Sequence, residues 1–240
     1  MNKLPQIEQV VFDFDNTLFN TEKFKQKLYK MAKIHGYSHE RARNIYKRSR
    51  TENERIIMSL SSFINVLKED LQKDEIDFKS EKVSDMITDM KNNDGLLPYA
   101  AELLKYCKQQ DLDTYVLSLG YKEWQEEKIE QSGIKSILDE ENILYTDNIE
   151  NGKQGILRDL FGKNFSGENT AFFNDKPDET GDILHDFKQL RAFVRFEERD
   201  DRYRQADFEQ LKDRFDERIF WSEQLKVLLN KFKKLYEDKQ

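Results

Sequence analysis

The chain has 240 residues, 37% hydrophobic and 36% charged, with a formal net charge of −7. That length suits one large domain or two small ones, and the acidic balance argues against generic nucleic-acid binding, which calls for a basic field. No apolar run is long enough to span a bilayer, the N-terminus lacks the long apolar segment of a signal peptide, and the single cysteine, Cys107, excludes an internal disulfide framework, so a cytoplasmic protein is expected.

Residues 7–14 read as a buried strand. Its end, in VVFDFDNTLF (10–19), carries Asp13 and Asp15 with Thr17 just beyond. Strict alternation would put both aspartates on one side of the extended chain. Two carboxylates at the end of a buried strand are costly unless a hard cation such as Mg²⁺ offsets them, which is a site for phosphate chemistry. The alternative is a strand running into a loop, with Asp15 and Asn16 as turn formers.

Residues 21–92 then read as helix after helix. Over 53–72 the apolar positions, including Ile56, Ile57, Leu60 and Phe63, follow the helical period, and Thr51 and Glu54 have capping-box spacing. Weaker helices cover 21–35 and 80–92. Residues 38–50 form an amphipathic helix with Ala42, Ile45, Tyr46 and Ser49 on one face. Arg43, Lys47 and Arg50 flank that face on one side, Arg41 and Arg48 on the other. The cluster Asn92-Asn93-Asp94-Gly95 marks a boundary.

After it the rhythm changes. Pro98 opens a helix to about 110, with Tyr99, Ala100, Leu103, Leu104 and Cys107 inward. Strands at 113–118, 143–145, 170–174 and 190–196 alternate with helices at 121–132, 153–161 and 177–188. Helices at 203–214 and 222–236 follow, and the charge-dense EERDDRYRQ (197–205) reads as a solvated loop and helix start. The fold class is therefore α/β: a Rossmann-like parallel sheet with helices on both faces and an all-helical block inserted after the first strand.

In such a sheet ligands sit beyond the carboxyl ends of the strands. Ser118, Leu119 and Gly120 end the strand 113–118 at a helix entrance, where a hydroxyl and free N–H groups make a phosphate cradle. Lys153 opens a helix, where a cation opposes the dipole unless an anion is bound. Asn174 and Asp175 end the strand 170–174, followed by Lys176, Pro177, Asp178 and Glu179. Singly, Ser118 reads as a helix N-cap, Lys153 as a surface lysine and Asp175 as a helix-start acid. All of them at one sheet edge read as a site. His35, His39 and His185 lack metal-ligand spacing and read as solvated helix positions, and Trp124 and Trp221 as packing residues.

DFDNT (13–17), VLSLG (116–120), Lys153 in NGKQGIL, and FFNDKPDE (172–179) together resemble the haloacid dehalogenase-like (HAD) hydrolase superfamily. The resemblance spans the chain and implies an α/β core of residues 1–19 and 96–240 with a helical cap of 20–95. It implies Asp13 as nucleophile, and Asp15 as the acid that protonates the leaving oxygen and then activates water. Asp13, Asp15 (through its main-chain carbonyl) and Asp175 would hold Mg²⁺. Ser118, Gly120 and Lys153 would bind the phosphoryl group, and either Asp178 or Glu179 would support the metal site. Asn174 departs from the Gly or Asp that many members carry there. An acid at Asp15 implies phosphoryl chemistry rather than dehalogenation.

The expected activity is Mg²⁺-dependent hydrolysis of a small phosphomonoester through an aspartyl-phosphate. The alternatives are a binding or regulatory protein without turnover and a nucleic-acid end phosphatase. The expected partner is a small phosphorylated substrate, with no membrane and no nucleic acid, and the oligomeric state is not legible. Arg43 and Arg48 are either solvated or hold a second anion on the substrate.

Overall fold

A computed structural model describes residues 6–52, 55–56, 58–91, 95–146 and 152–237. In chain order the elements are β1 (Gln9–Asp13), α1 (Thr21–Lys33), α2 (His39–Arg50), β2 (Thr51–Glu52), β3 (Arg55–Ile56), α3 (Leu60–Lys73), α4 (Ser80–Lys91), α5 (Ala100–Gln109), β4 (Asp113–Leu119) and α6 (Lys122–Ser132). Then follow β5 (Ile143–Thr146), α7 (Gly152–Phe161), β6 (Thr170–Asn174), α8 (Pro177–Asp186), β7 (Arg191–Arg195), α9 (Gln205–Phe215), β8 (Ile219–Ser222) and α10 (Leu225–Glu237).

Six parallel strands form one sheet in the order β5-β4-β1-β6-β7-β8. The chain builds outward from β1 to one edge and then returns to build the other, so β1 and β6 flank the point where direction reverses. Ligands bind at such a crevice. Helices cover both faces, which is why the central strands are apolar on both sides. Val10 and Phe12 pack with Leu103, Leu104 and Phe232 on one face, while Val11 packs with Leu157, Ile183 and Leu184 on the other. Phe173 of β6 stacks between Phe12 and Phe193, with ring centroids 4.7 Å apart on each side. That aromatic ladder ties β1, β6 and β7 together just below the edge that carries the acids. Truncating Phe173 to Ala would cost about 3–5 kcal/mol.

The helices between β1 and α5 form a block with a hydrophobic cluster of its own, including Leu28, Met31, Ile45, Phe63, Leu67 and Val83. Trp124 of α6 joins this cluster, so the block is seated on the sheet layer through α6. Cys107 lies in the core, where burial pushes its thiol up to about 12.

Several sequence expectations shift. The helix expected over 53–72 begins only at Leu60, because Thr51–Glu52 and Arg55–Ile56 pair as a short antiparallel hairpin. The capping box is Ser59 with Ser62 (Ser62 N–H to Ser59 Oγ 3.0 Å, Ser59 N–H to Ser62 Oγ 2.9 Å), not Thr51 with Glu54, which lies outside the described residues, as do Ile57 and residues 92–94. Tyr99 is not inward. It stands before α5 at φ 72° and is 40% exposed. His35 is buried rather than solvated, donating from Nδ1 to the Met31 carbonyl at 2.7 Å and accepting from the Lys79 N–H at 3.0 Å. Strand β8 was not legible, since IFWS is too short to show a period.

Candidate active site

Asp13, Ser118 and Asp175 stand where three neighbouring strands end, and Lys153 enters from the start of α7. Lys153 is fully buried, and its ammonium meets Asp13 Oδ1 at 2.6 Å, Glu179 Oε2 at 2.6 Å and Asn174 Oδ1 at 3.1 Å. An ammonium has three protons, so this set satisfies it. Burial alone would pull its pKa down, but Asp13 and Glu179 outweigh burial and hold it above the ordinary lysine range. Burial also opposes the charge on Glu179, which Lys153 and Lys176 nevertheless hold at about 2.

Asn174 explains its own departure from the family pattern. Its amide oxygen accepts from Lys153 while its nitrogen donates to Glu179 Oε2 at 3.0 Å and to Thr180 Oγ1 at 3.0 Å. Of the two acids left open, Glu179 therefore faces Lys153. Asp178 is exposed and accepts from the Tyr203 hydroxyl at 2.8 Å.

Asp13 and Asp15 do not converge. The chain leaves the extended conformation after Asp13: Asn16 sits at φ 57°, its N–H bonds the Phe19 carbonyl, and its own carbonyl accepts from the buried Arg195 at 2.7 Å. Asn tolerates this left-handed conformation better than most residues. The Asp13 carboxylate meets Lys153, while Asp15 turns towards α6. There it pairs with Lys128 and accepts from Gln125 Nε2 at 3.0 Å and Thr21 Oγ1 at 2.5 Å. Burial opposes the Asp15 charge, yet Lys128 leads these partners in holding its pKa at about 2. Gly120, at φ 154°, leaves room for Gln125: a Cβ there would meet its amide nitrogen at 2.5 Å.

Asp175 is buried, with Oδ1 lacking any partner and Arg202 3.9 Å from Oδ2. Burial and then the Asp13 charge push its pKa up to about 8. The Ser118 hydroxyl is also buried and unpartnered. An orphaned carboxylate oxygen beside a second carboxylate fits a divalent cation held by the Asp13 and Asp175 side chains. Among the described residues no three His, Cys, Asp or Glu side chains are grouped to hold a metal. The Asp15 carboxylate is taken by Lys128, so what Asp15 has left to offer a cation is its main-chain carbonyl, the group that the resemblance assigns to the metal.

Above this edge a cavity of about 110 Å³ opens between the sheet and the helical block, lined by Asp15, Gly120, Lys128, Asp175, Tyr46 and Arg50 among others. Arg202 lines it too, held by the buried Asp200. The segment 197–205 is mostly exposed and runs into the start of α9, but within it Glu197 and Asp200 are buried and paired with Arg195, Arg199 and Arg202. The α2 arginines divide. Arg41 and Arg48 clamp the buried Asp70, and Arg43 pairs with Asp201, so neither Arg43 nor Arg48 is the free anion ligand considered above.

Lys128, Gln125 and Arg202 escaped the sequence reading. In KEWQEEKIEQS a buried lysine looks like its neighbours; the one signal was that Gln125 and Lys128 share the inward stripe of Trp124 and Ile129.

The haloacid dehalogenase-like hydrolase family matches residues 7–181. No curated relative matches the chain. Among solved structures, a haloacid dehalogenase-like family hydrolase from Xanthomonas campestris aligns with TM-score 0.62 and 14% identity over 98% of this chain and 94% of its own. A HAD family hydrolase from Deinococcus radiodurans R1, with bound phosphate and sodium, aligns with TM-score 0.56 and 12% identity over 91% and 93%. The L-2-haloacid dehalogenase from Xanthobacter autotrophicus aligns with TM-score 0.52 and 12% identity over 94% and 88%. At these identities the likeness is one of fold. No helix among the described residues is long and apolar enough to cross a membrane.

Proposed function

This chain belongs to the haloacid dehalogenase-like hydrolases, and we propose that it is a phosphatase for a small phosphomonoester, with residues 20–95 acting as its cap. The observation that carries this reading is the second carboxylate. Asp15 borders the cavity, held by Lys128, Gln125 and Thr21. A halide leaves without a proton, whereas an ester oxygen takes one, so an organised carboxylate beside the leaving group has a use only in the second case.

Asp13 attacks phosphorus, forming an aspartyl-phosphate as the ester P–O bond breaks with its electron pair on the leaving oxygen. Asp15 gives that oxygen a proton, then takes one from the water that hydrolyses the intermediate and restores Asp13. Lys128 holds Asp15 as the carboxylate, the form that deprotonates water. A phosphate dianion in the cavity opposes that charge, which favours the acid form in the first half. Lys153 orients Asp13 and offsets transition-state charge, and the Ser118 hydroxyl and the backbone at Gly120 bind phosphoryl oxygens. Mg²⁺, held by Asp13, Asp175 and the Asp15 main-chain carbonyl, would cancel the repulsion between carboxylate and phosphate.

Purified protein should release phosphate from a panel of small esters with Mg²⁺ and lose that activity on chelation. Asp175→Ala should raise the Mg²⁺ concentration needed for half-maximal rate. Chloride release from 2-chloroacids without phosphate release would overturn the reading.

A further inference from the structure

We infer that the substrate carries a second anionic group, a carboxylate or another phosphate, bound by Arg50, Tyr46 and Arg202 on the wall of the cavity facing the helical block. This rests on the phosphatase reading for the identity of the first group.

Arg50 ends α2 and lines the cavity. The other three arginines of that helix are engaged with Asp70, Asp74 or Asp201. Arg50 has no ion-pair partner among the described residues. Tyr46 lies one turn earlier, also lines the cavity, and its hydroxyl makes no hydrogen bond among the described residues. Burial lifts that hydroxyl to about 12, and the charges that bear on it are, in order, Arg50, Asp15, Glu22 and Arg202.

Arg202 arrives from the sheet layer. Asp200, itself 4% exposed, takes Nε at 2.8 and 3.0 Å and also Nη2. This fixes the guanidinium plane and leaves Nη1 for a ligand, an arrangement suited to gripping a planar anion. The helix dipole alone would tolerate a cation in the last turn of α2. It would not explain why a tyrosine hydroxyl and two guanidinium groups line the same cavity. Arg50, the Tyr46 hydroxyl and Arg202 Nη1 line one cavity with donors not spent on a protein acceptor, and an anion can take them together.

The test uses matched pairs: 3-phosphoglycerate against glycerol 3-phosphate, and fructose 1,6-bisphosphate against fructose 6-phosphate, with p-nitrophenyl phosphate as the ester lacking a second anion. The native protein should prefer the doubly anionic member of at least one pair by about tenfold or more in kcat/KM. Arg50→Ala should abolish that preference through KM, Arg50→Lys should restore part of it, and p-nitrophenyl phosphate turnover should stay within about twofold. Binding to Asp13→Asn by calorimetry, with and without Arg50→Ala, separates the two proposals. Selective binding without turnover keeps this subsite and removes the phosphatase. Turnover of p-nitrophenyl phosphate with no preference in either pair, or equal losses on both members in Arg50→Ala, overturns the subsite.

Discussion

Two buried lysines serve two aspartates that are neighbours but one in the chain, and their pKa values move in opposite directions. Lys153, on the α7–α8 side of β1, has Asp13 and Glu179, and its pKa is held above the ordinary range despite complete burial. Lys128, on the α6 side, has Asp15 and lies 5.4 and 5.5 Å from the ring centres of Phe14 and Phe19. There burial outweighs Asp15, and its pKa falls below the ordinary value. His35 in the helical block extends the series: buried with no carboxylate partner, it too is depressed by burial. Burial opposes charge at all three positions, and the carboxylates in direct contact, two at Lys153, one at Lys128 and none at His35, set how far it is offset.

The largest effect expected is that of removing the acid on the better-compensated side. Asp13→Asn should lose on the order of 10⁴-fold or more in kcat while keeping the fold. Steady-state phosphate release and a thermal scan check both halves. Full activity in this variant would make the Lys153 side merely structural.

Lys153→Met comes next. It leaves Asp13 and Glu179 buried without their cation and should cost about 3–5 kcal/mol of stability. It should also lower kcat by roughly 10²–10³-fold. Adding Glu179→Gln should recover part of the stability and none of the rate, as read by denaturant unfolding and kinetics on the same samples.

Lys128→Met should destabilise less than Lys153→Met, because it strands one partly exposed carboxylate rather than two. Its signature is kinetic: alkyl phosphates should lose more rate than aryl phosphates, since a poor leaving oxygen depends more on the Asp15–Lys128 pair. Equal stability losses for the two lysine variants would mean that carboxylate number does not separate these sites.

The smallest effect belongs to His35. Its folded pKa is lowered, so the unfolded chain binds more protons at mildly acidic pH. The stability it contributes is present above the unfolded value near 6.5 and is lost as pH falls through the folded pKa. Protonation would also break the bond that Nε2 accepts from Lys79. The thermal midpoint should fall between pH 7 and 5, and His35→Gln, which cannot titrate, should flatten that slope. An unchanged slope would remove His35 from the series.

The sequence by itself determined the sheet and one half of the candidate site. Apolar runs ending in Asp13, Ser118 and Asp175 are local patterns, and parallel strands must present those ends at one edge. Lys153 was legible for the same reason, as the first charge of a helix following a strand. Tertiary structure decided the other half. The alternation that should have aimed Asp15 beside Asp13 ends at the Asn16 turn, which is held by Arg195 from 179 residues away. Which of the many lysines and arginines meets Asp15 or lines the cavity depends on how α2, α6 and the segment 197–204 pack against the sheet. Residue type cannot report that packing, because a long cationic side chain is equally at home in water and against a buried carboxylate.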